Sequence, residues 1–189
     1  MPKRDTLVHA MHDIGLAAWF GGSLAGAVAV NGAAADVPDP AMRPEAANDP
    51  WSRWGPVSAL AIGVHLVGGA VLLRANRDLV AGQRWVALQA AAKLVLTGAA
   101  LAVTGYSGAL GRKLHAADGA AVEGGATASV STSSEVAHIQ RQLGACRWLI
   151  PTLTGAISVL AALDAEQQRP VRRLSGMFGK QVRWLRAGR

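Results

Sequence analysis

Three residues near the start of the chain could meet on one helical turn: His9, His12 and Asp13. His9 stands four residues before Asp13 and three before His12, so a helix turns all three to one side. Imidazoles and a carboxylate so placed can hold a metal ion or pass a proton. His65 is a different kind of candidate, because it sits in mid-run between uncharged residues, with Ala61 and Gly69 one turn to either side. A deep histidine with small neighbours could ligate a haem, whose flat ring needs clearance. A bis-histidine b-type site would then need a second ligand, and His12 is the residue available. The metal or haem candidates are therefore His9, His12 and His65. The plainer expectation is that the first turn wets a helix end and that His65 is hydrogen-bonded between helices. The single cysteine, Cys146, leaves no internal disulfide and no CxxC site. No nucleophile–base signature is present, so no catalytic residue is assigned.

These residues lie on long apolar runs. Trp85 to Leu110 carries one formal charge, Lys93. As a helix it is about 39 Å long, more than the roughly 30 Å hydrocarbon core of a bilayer. At 100° per residue, Gln89, Lys93, Thr97, Ala100, Thr104 and Ser107 form one stripe, with Leu88, Ala91, Val95, Ala99, Ala102 and Tyr106 opposite. A membrane helix turns such a polar stripe inward. Three further runs accompany it, giving spans at about 10–35, 54–74, 85–110 and 143–165. The expected fold is all-α: an integral membrane four-helix bundle over residues 7–165, with an amphipathic C-terminal helix in 166–189. In the first span, Gly22 and Gly26, with Ala18 a turn earlier, form a close-packing helix face. Lys3, Arg4 and the Ala33–Ala35 run also suit a signal peptide, but the length of the run and the intrusion of His12–Asp13 favour a retained span. The proline-rich stretch Asp36–Arg53 reads as a polar loop, and the Gly/Ala/Ser/Thr-rich Gly111–Ser134 as a flexible one.

Charge sets the orientation. The formal net charge is +7. With four spans, Lys3, Arg4, Arg74, Arg77, Arg84 and the basic tail share one side, which carries the larger share of Lys and Arg. Positive-inside places that side, and both termini, in the cytoplasm, with the protein in the inner (cytoplasmic) membrane. In the tail, Val171, Leu174, Phe178, Val182 and Leu185 fall on one helical face and Arg172, Arg173, Lys180, Arg183 and Arg186 on the other. That pattern belongs to an interfacial helix on anionic lipid. The expected partners are the bilayer, anionic lipids and other membrane subunits or a second copy, with no nucleic acid.

Depth suggests which polar groups meet. Lys93 is about 12 Å inside Trp85, His65 about 13 Å from Arg74 and Asp13 about 9 Å from Leu7. An unpaired ammonium at that depth is costly. The expectation is one buried polar cluster of Asp13, His65, Lys93, Gln89 and Thr97, with Lys93 paired to Asp13.

His12-x6-Trp19-Phe20-Gly21-Gly22, opening a four-span bundle, resembles the first helix of copper-resistance-D-like bacterial membrane domains, which begin with a histidine followed by a Trp-x-Gly-Gly-type turn. The likeness covers about a dozen residues. It implies a membrane bundle, while the Met- and His-rich clusters expected of copper handling are missing from this sequence. Two functions follow. One is a non-enzymatic accessory or scaffold membrane protein without a cofactor. The other is a haem-, metal- or proton-handling protein that uses His65, Lys93, His12 and Asp13, with haem b or copper as the cofactor.

The tail is testable by itself. A synthetic Pro170–Arg189 peptide should gain helical circular dichroism with anionic vesicles and little with neutral ones, each basic residue contributing roughly 1 kcal/mol. An equal response to both would remove the electrostatic part.

Overall fold

The computed structural model describes the backbone of residues 3–39, 42–116, 122–124, 127–128 and 134–187, and side chains within 6–114 and 134–166 apart from 40, 41, 44, 47 and 48. The chain is all-α. Its elements are α1 (Lys3–Ala25), a π-helical turn (Gly26–Val30), α2 (Asn31–Ala35), α3 (Arg43–Ala75), α4 (Arg77–Gly82), α5 (Arg84–Ala116) and α6 (Ser134–Ala187). Between α5 and α6 lies a short antiparallel pair, β1 (Val122–Gly124) with β2 (Thr127–Ala128).

Four segments are long and apolar enough to cross a membrane: Thr6–Ala35, Asp49–Ala75, Arg84–Leu114 and Ser134–Glu166. They make this a multi-pass membrane protein. Its outer surface is that of a membrane bundle, with Ile14 and Leu60 each 68% exposed and Val95 71%. Large apolar side chains so exposed on three helices need lipid as their solvent.

The spans pack side by side in the order α3, α1, α6, α5. α1 lies against α3 and α6, and α6 lies against α5. The α1–α3 seam is unusually close. A Cβ at Gly15 would come within 2.5 Å of the Ala61 carbonyl oxygen and 2.6 Å of the His65 nitrogen. One at Gly68 would come within 2.8 Å of the His12 nitrogen. Further along the same seam, Gly22 and Gly26 receive indole rings, since a Cβ there would lie 2.3 Å from Trp54 and 2.2 Å from Trp51. The expected close-packing face is therefore at Gly22 and Gly26, but two tryptophans of α3 fill it instead of a second backbone. Phe20 projects from α1 on to Gly155 of α6, where a Cβ would be 3.2 Å from the ring.

The π turn marks the far end of α1. The backbone N–H of Asn31 donates to the Gly26 carbonyl, five residues back, and the Asn31 side chain donates to the same oxygen at 2.8 Å. An extra residue per turn swings α2 relative to α1. Beside it, Ala29, Val30, Ala33, Ala34, Ala46 and Pro50 line an apolar groove of about 330 Å³.

The structure departs from the expected polar loop at 36–53, because α3 already starts at Arg43 and runs through Pro50 and Pro56. Proline at the first turn is preorganised for a helix. Pro50 and Pro56 cost a backbone hydrogen bond each; between them Ser52 Oγ donates to the Asp49 carbonyl at 2.8 Å, and Arg53 pairs with Asp49 at 3.3 Å. At the other end, the backbone of α6 continues as helix past residue 166 to Ala187. The side chains of the predicted tail faces, including Arg172, Arg173, Lys180, Arg183 and Arg186, lie outside the described residues.

Glycine substitutions separate the seam from the lipid face. Gly15→Ala and Gly68→Ala should each lower the thermal midpoint of detergent-purified protein, by the equivalent of roughly 1–3 kcal/mol for overpacking. Gly98→Ala, where no atom lies within 4 Å of an added Cβ, should be neutral or stabilising by up to about 1 kcal/mol. Equal responses at all three positions would rule out the close seam as the cause.

Candidate functional site

The polar residues of the spans come together as two separate groups. The first is on the α1–α3 seam. His65 is 3% exposed, and its Nδ1 is 3.0 Å from the carbonyl oxygen of His12. That oxygen can only accept, so His65 donates from Nδ1. The His12 and His65 rings stack at 4.2 Å between centroids, tilted by 38°. His12 Nδ1 in turn lies 3.0 Å from Asp13 Oδ1, a carboxylate oxygen that accepts from it. Glycine makes the room: the His12 ring edge faces Gly69, where a Cβ would sit 3.2 Å from Cδ2 and 3.6 Å from Nε2. Trp19 closes the group, its ring edge-on to His65 at 6.2 Å. Its indole Nε1 donates across to Thr104 Oγ1 on α5 at 3.3 Å.

The second group is on the α5–α6 pair. Lys93 Nζ forms an ion pair with Asp164 Oδ2 of α6. The two side chains are 28% and 24% exposed. Gln89 is 7% exposed. With its amide turned so that the donor faces the carboxylate, Nε2 donates to Asp164 Oδ1, and Oε1 accepts from Trp85 Nε1 at 2.8 Å. Trp85, Gln89 and Lys93 follow one another at four-residue spacing, so one stripe of α5 carries the whole network. Both carboxylate oxygens of Asp164 are thereby engaged.

The expected pairing of Lys93 with Asp13 is thus corrected. Asp13 pairs with His12 and its side chain is 63% exposed, while Lys93 turns to α6. Equal depth was the basis of the expectation, but depth leaves open which helices are neighbours. α5 packs chiefly on α6, its partner across the intervening hairpin, and consecutive elements usually do lie together. The five-residue cluster accordingly divides: His65 belongs to the seam, and Gln89 and Lys93 to the α5–α6 network. Thr97 is half-buried on the Lys93 stripe. That stripe does turn inward, with Ala100 fully buried, while Leu88, Val95 and Tyr106 opposite are exposed.

Asp164 is the residue that sequence reasoning missed. It closes the uncharged run that ends at Leu163, and so it read as the edge of the membrane. The helix continues beyond it, which leaves the carboxylate on a packed face. Gln140 is a second omission: it is fully buried, and neither amide atom has a partner. Thr104 is a third, and its place on the inward stripe of α5 was the available signal.

Among the described residues, no group of three or more His, Cys, Asp or Glu is placed to hold a metal ion, so His9 does not complete a site with His12 and Asp13. Nor do His12 and His65 fit as the two axial ligands of one haem, because their rings touch and a porphyrin would have to lie between them. The arrangement offers a stacked pair of imidazoles and an ion pair capped by an amide.

Comparison with protein families, with curated proteins and with solved structures finds no match. Any functional conclusion therefore rests on the residues themselves.

A double-mutant cycle tests the ion pair. Lys93→Met and Asp164→Asn should each destabilise the purified protein, and the double variant should recover part of the loss, with a coupling of about 1–3 kcal/mol. Lys93→Met with Asp13→Asn should be additive within roughly 0.5 kcal/mol. The reverse pattern would restore the Asp13 pairing.

Proposed function

We propose that this is a non-enzymatic accessory or scaffold protein of the inner (cytoplasmic) membrane, with both termini in the cytoplasm. One observation carries the proposal: polar side chains deep in the spans join one helix to another. His65 to the His12 carbonyl links α3 to α1, Trp19 to Thr104 links α1 to α5, and Lys93 to Asp164 links α5 to α6. Three links of this kind tie all four spans into one body. In lipid, where apolar side chains gain nothing by leaving solvent for each other, such links and close packing are what hold helices together. On this reading the protein presents a defined apolar surface to the bilayer or to other membrane subunits, and its basic tail rests on anionic lipid.

A second reading is favoured by the histidine pair. Histidines that ligate metals commonly give their other ring N–H to a carboxylate or a backbone carbonyl. His12 does the former and His65 the latter. Together with the resemblance of the His12–Gly22 stretch, this supports a metal-handling role for the His12–His65 pair.

Elemental analysis and an absorption spectrum of the purified protein separate the two. The scaffold reading expects no stoichiometric metal and no Soret band, and an unchanged result for His65→Ala. A stoichiometric transition metal that is lost in His65→Ala would replace it with the second reading.

A further inference from the structure

We infer that α5 and α6 enter the membrane as one unit, because Asp164 is the counter-charge that lets the span carrying Lys93 stay there. The inference rests on the reading that these helices cross the bilayer with both termini in the cytoplasm, and it goes beyond that reading to the order of assembly.

Lys93 lies about 14 Å along α5 from Arg84, too deep for its side chain to reach the headgroups in full. When α5 is made, α1 and α3 are already in place, since chains are made and inserted from the N-terminal end. Neither offers an acid at that depth. The runs Ile14–Ala35 and Trp54–Leu73 contain no Asp or Glu. Asp13, the acid nearest in depth on α1, is paired with His12 and faces outward. Within the described structure the ammonium meets its carboxylate on the last span to be made. Asp164 has the converse problem, because an unpaired carboxylate within an apolar helix is also costly. The two penalties cancel only when both helices are present. The network is built for that meeting: Gln89 takes the second carboxylate oxygen and is held by Trp85. Asp164 thus has both carboxylate oxygens engaged, and the runs Ile14–Ala35 and Trp54–Leu73 offer Lys93 no other acid.

The consequence is a pair of spans that go in together or stay out together. If α5 remains out, the connection between α5 and α6 stays on the cytoplasmic side, and the topology of α1 and α3 is unaffected.

The test uses the full chain in a Cys146→Ser background with a reporter cysteine, Gly119→Cys, labelled in intact cells by a membrane-impermeant maleimide and normalised to total protein. The parent should label from outside, and failure of that control would reject the topology itself and leave the pairing aside. Given that control, Asp164→Leu should lower the labelled fraction on the order of tenfold. Asp164→Leu with Lys93→Leu should restore it, as should the exchanged pair Lys93→Asp with Asp164→Lys. If the single variant is degraded and does not accumulate, recovery of its level in the double variant supports the inference equally. Labelling of Asp164→Leu at the parental level, or a double variant no better than the single one, overturns it.

Discussion

The close approach of α1 to α3 is the constraint on which the other contacts depend. Gly15 and Gly68 let the two backbones come within van der Waals distance, and dispersion between surfaces that close is one of the few attractions available between helices in lipid. The approach fixes the register. It sets His65 under the His12 carbonyl and seats the Trp51 and Trp54 indoles on Gly26 and Gly22. It also orients the other faces of α1, so that Trp19 reaches Thr104 on α5 and Phe20 covers Gly155 on α6. The stretch His12 to Gly22 is accordingly the junction at which α1 meets each of the other three spans.

A different kind of interaction governs the second half of the chain. Small residues are plentiful on α5, yet Gly98 and Gly105 have no atom within 4 Å of an added Cβ. At Lys93 the α5–α6 pair is joined by charge instead. Removing a carboxylate and an ammonium from water costs several kcal/mol per ion, and the Coulomb attraction offsets this only where the remaining hydrogen-bonding capacity is also met. Gln89 meets it on the acid side. An ion pair of this type contributes less to stability than to specificity, since any other register of α5 against α6 would leave two charges unpaired.

The hydroxyl-bearing residues of α6 illustrate a third solution. Thr152, Thr154 and Ser158 donate back to the carbonyls four residues earlier, at 2.7, 2.8 and 3.0 Å. A polar group that satisfies itself on its own helix can face lipid or a packed neighbour without a partner. Thr154 uses this freedom to sit fully buried beside Ile157. Trp19 and Lys93 have no such local acceptor, which is why they bond across to other helices.

Much of the architecture was legible in the residues alone. Uncharged runs of membrane length, the stripe from Gln89 to Ser107 and the small residues at Gly22 and Gly26 depend on local composition and the 3.6-residue period, and both survive folding unchanged. The start of α3 was less legible, because prolines usually end a helix, and here packing of Trp51 and Trp54 on α1 holds the helix through them. Which polar groups meet was the part that sequence could not decide. Lys93, Asp13 and His65 share a depth, and depth follows from counting residues. Partnership depends on which helices are neighbours and on how each is rotated, and both are set by contacts between residues far apart in the chain. The seam chose His12 for His65, the α5–α6 hairpin chose Asp164 for Lys93, and only the assembled helices could bring those atoms together.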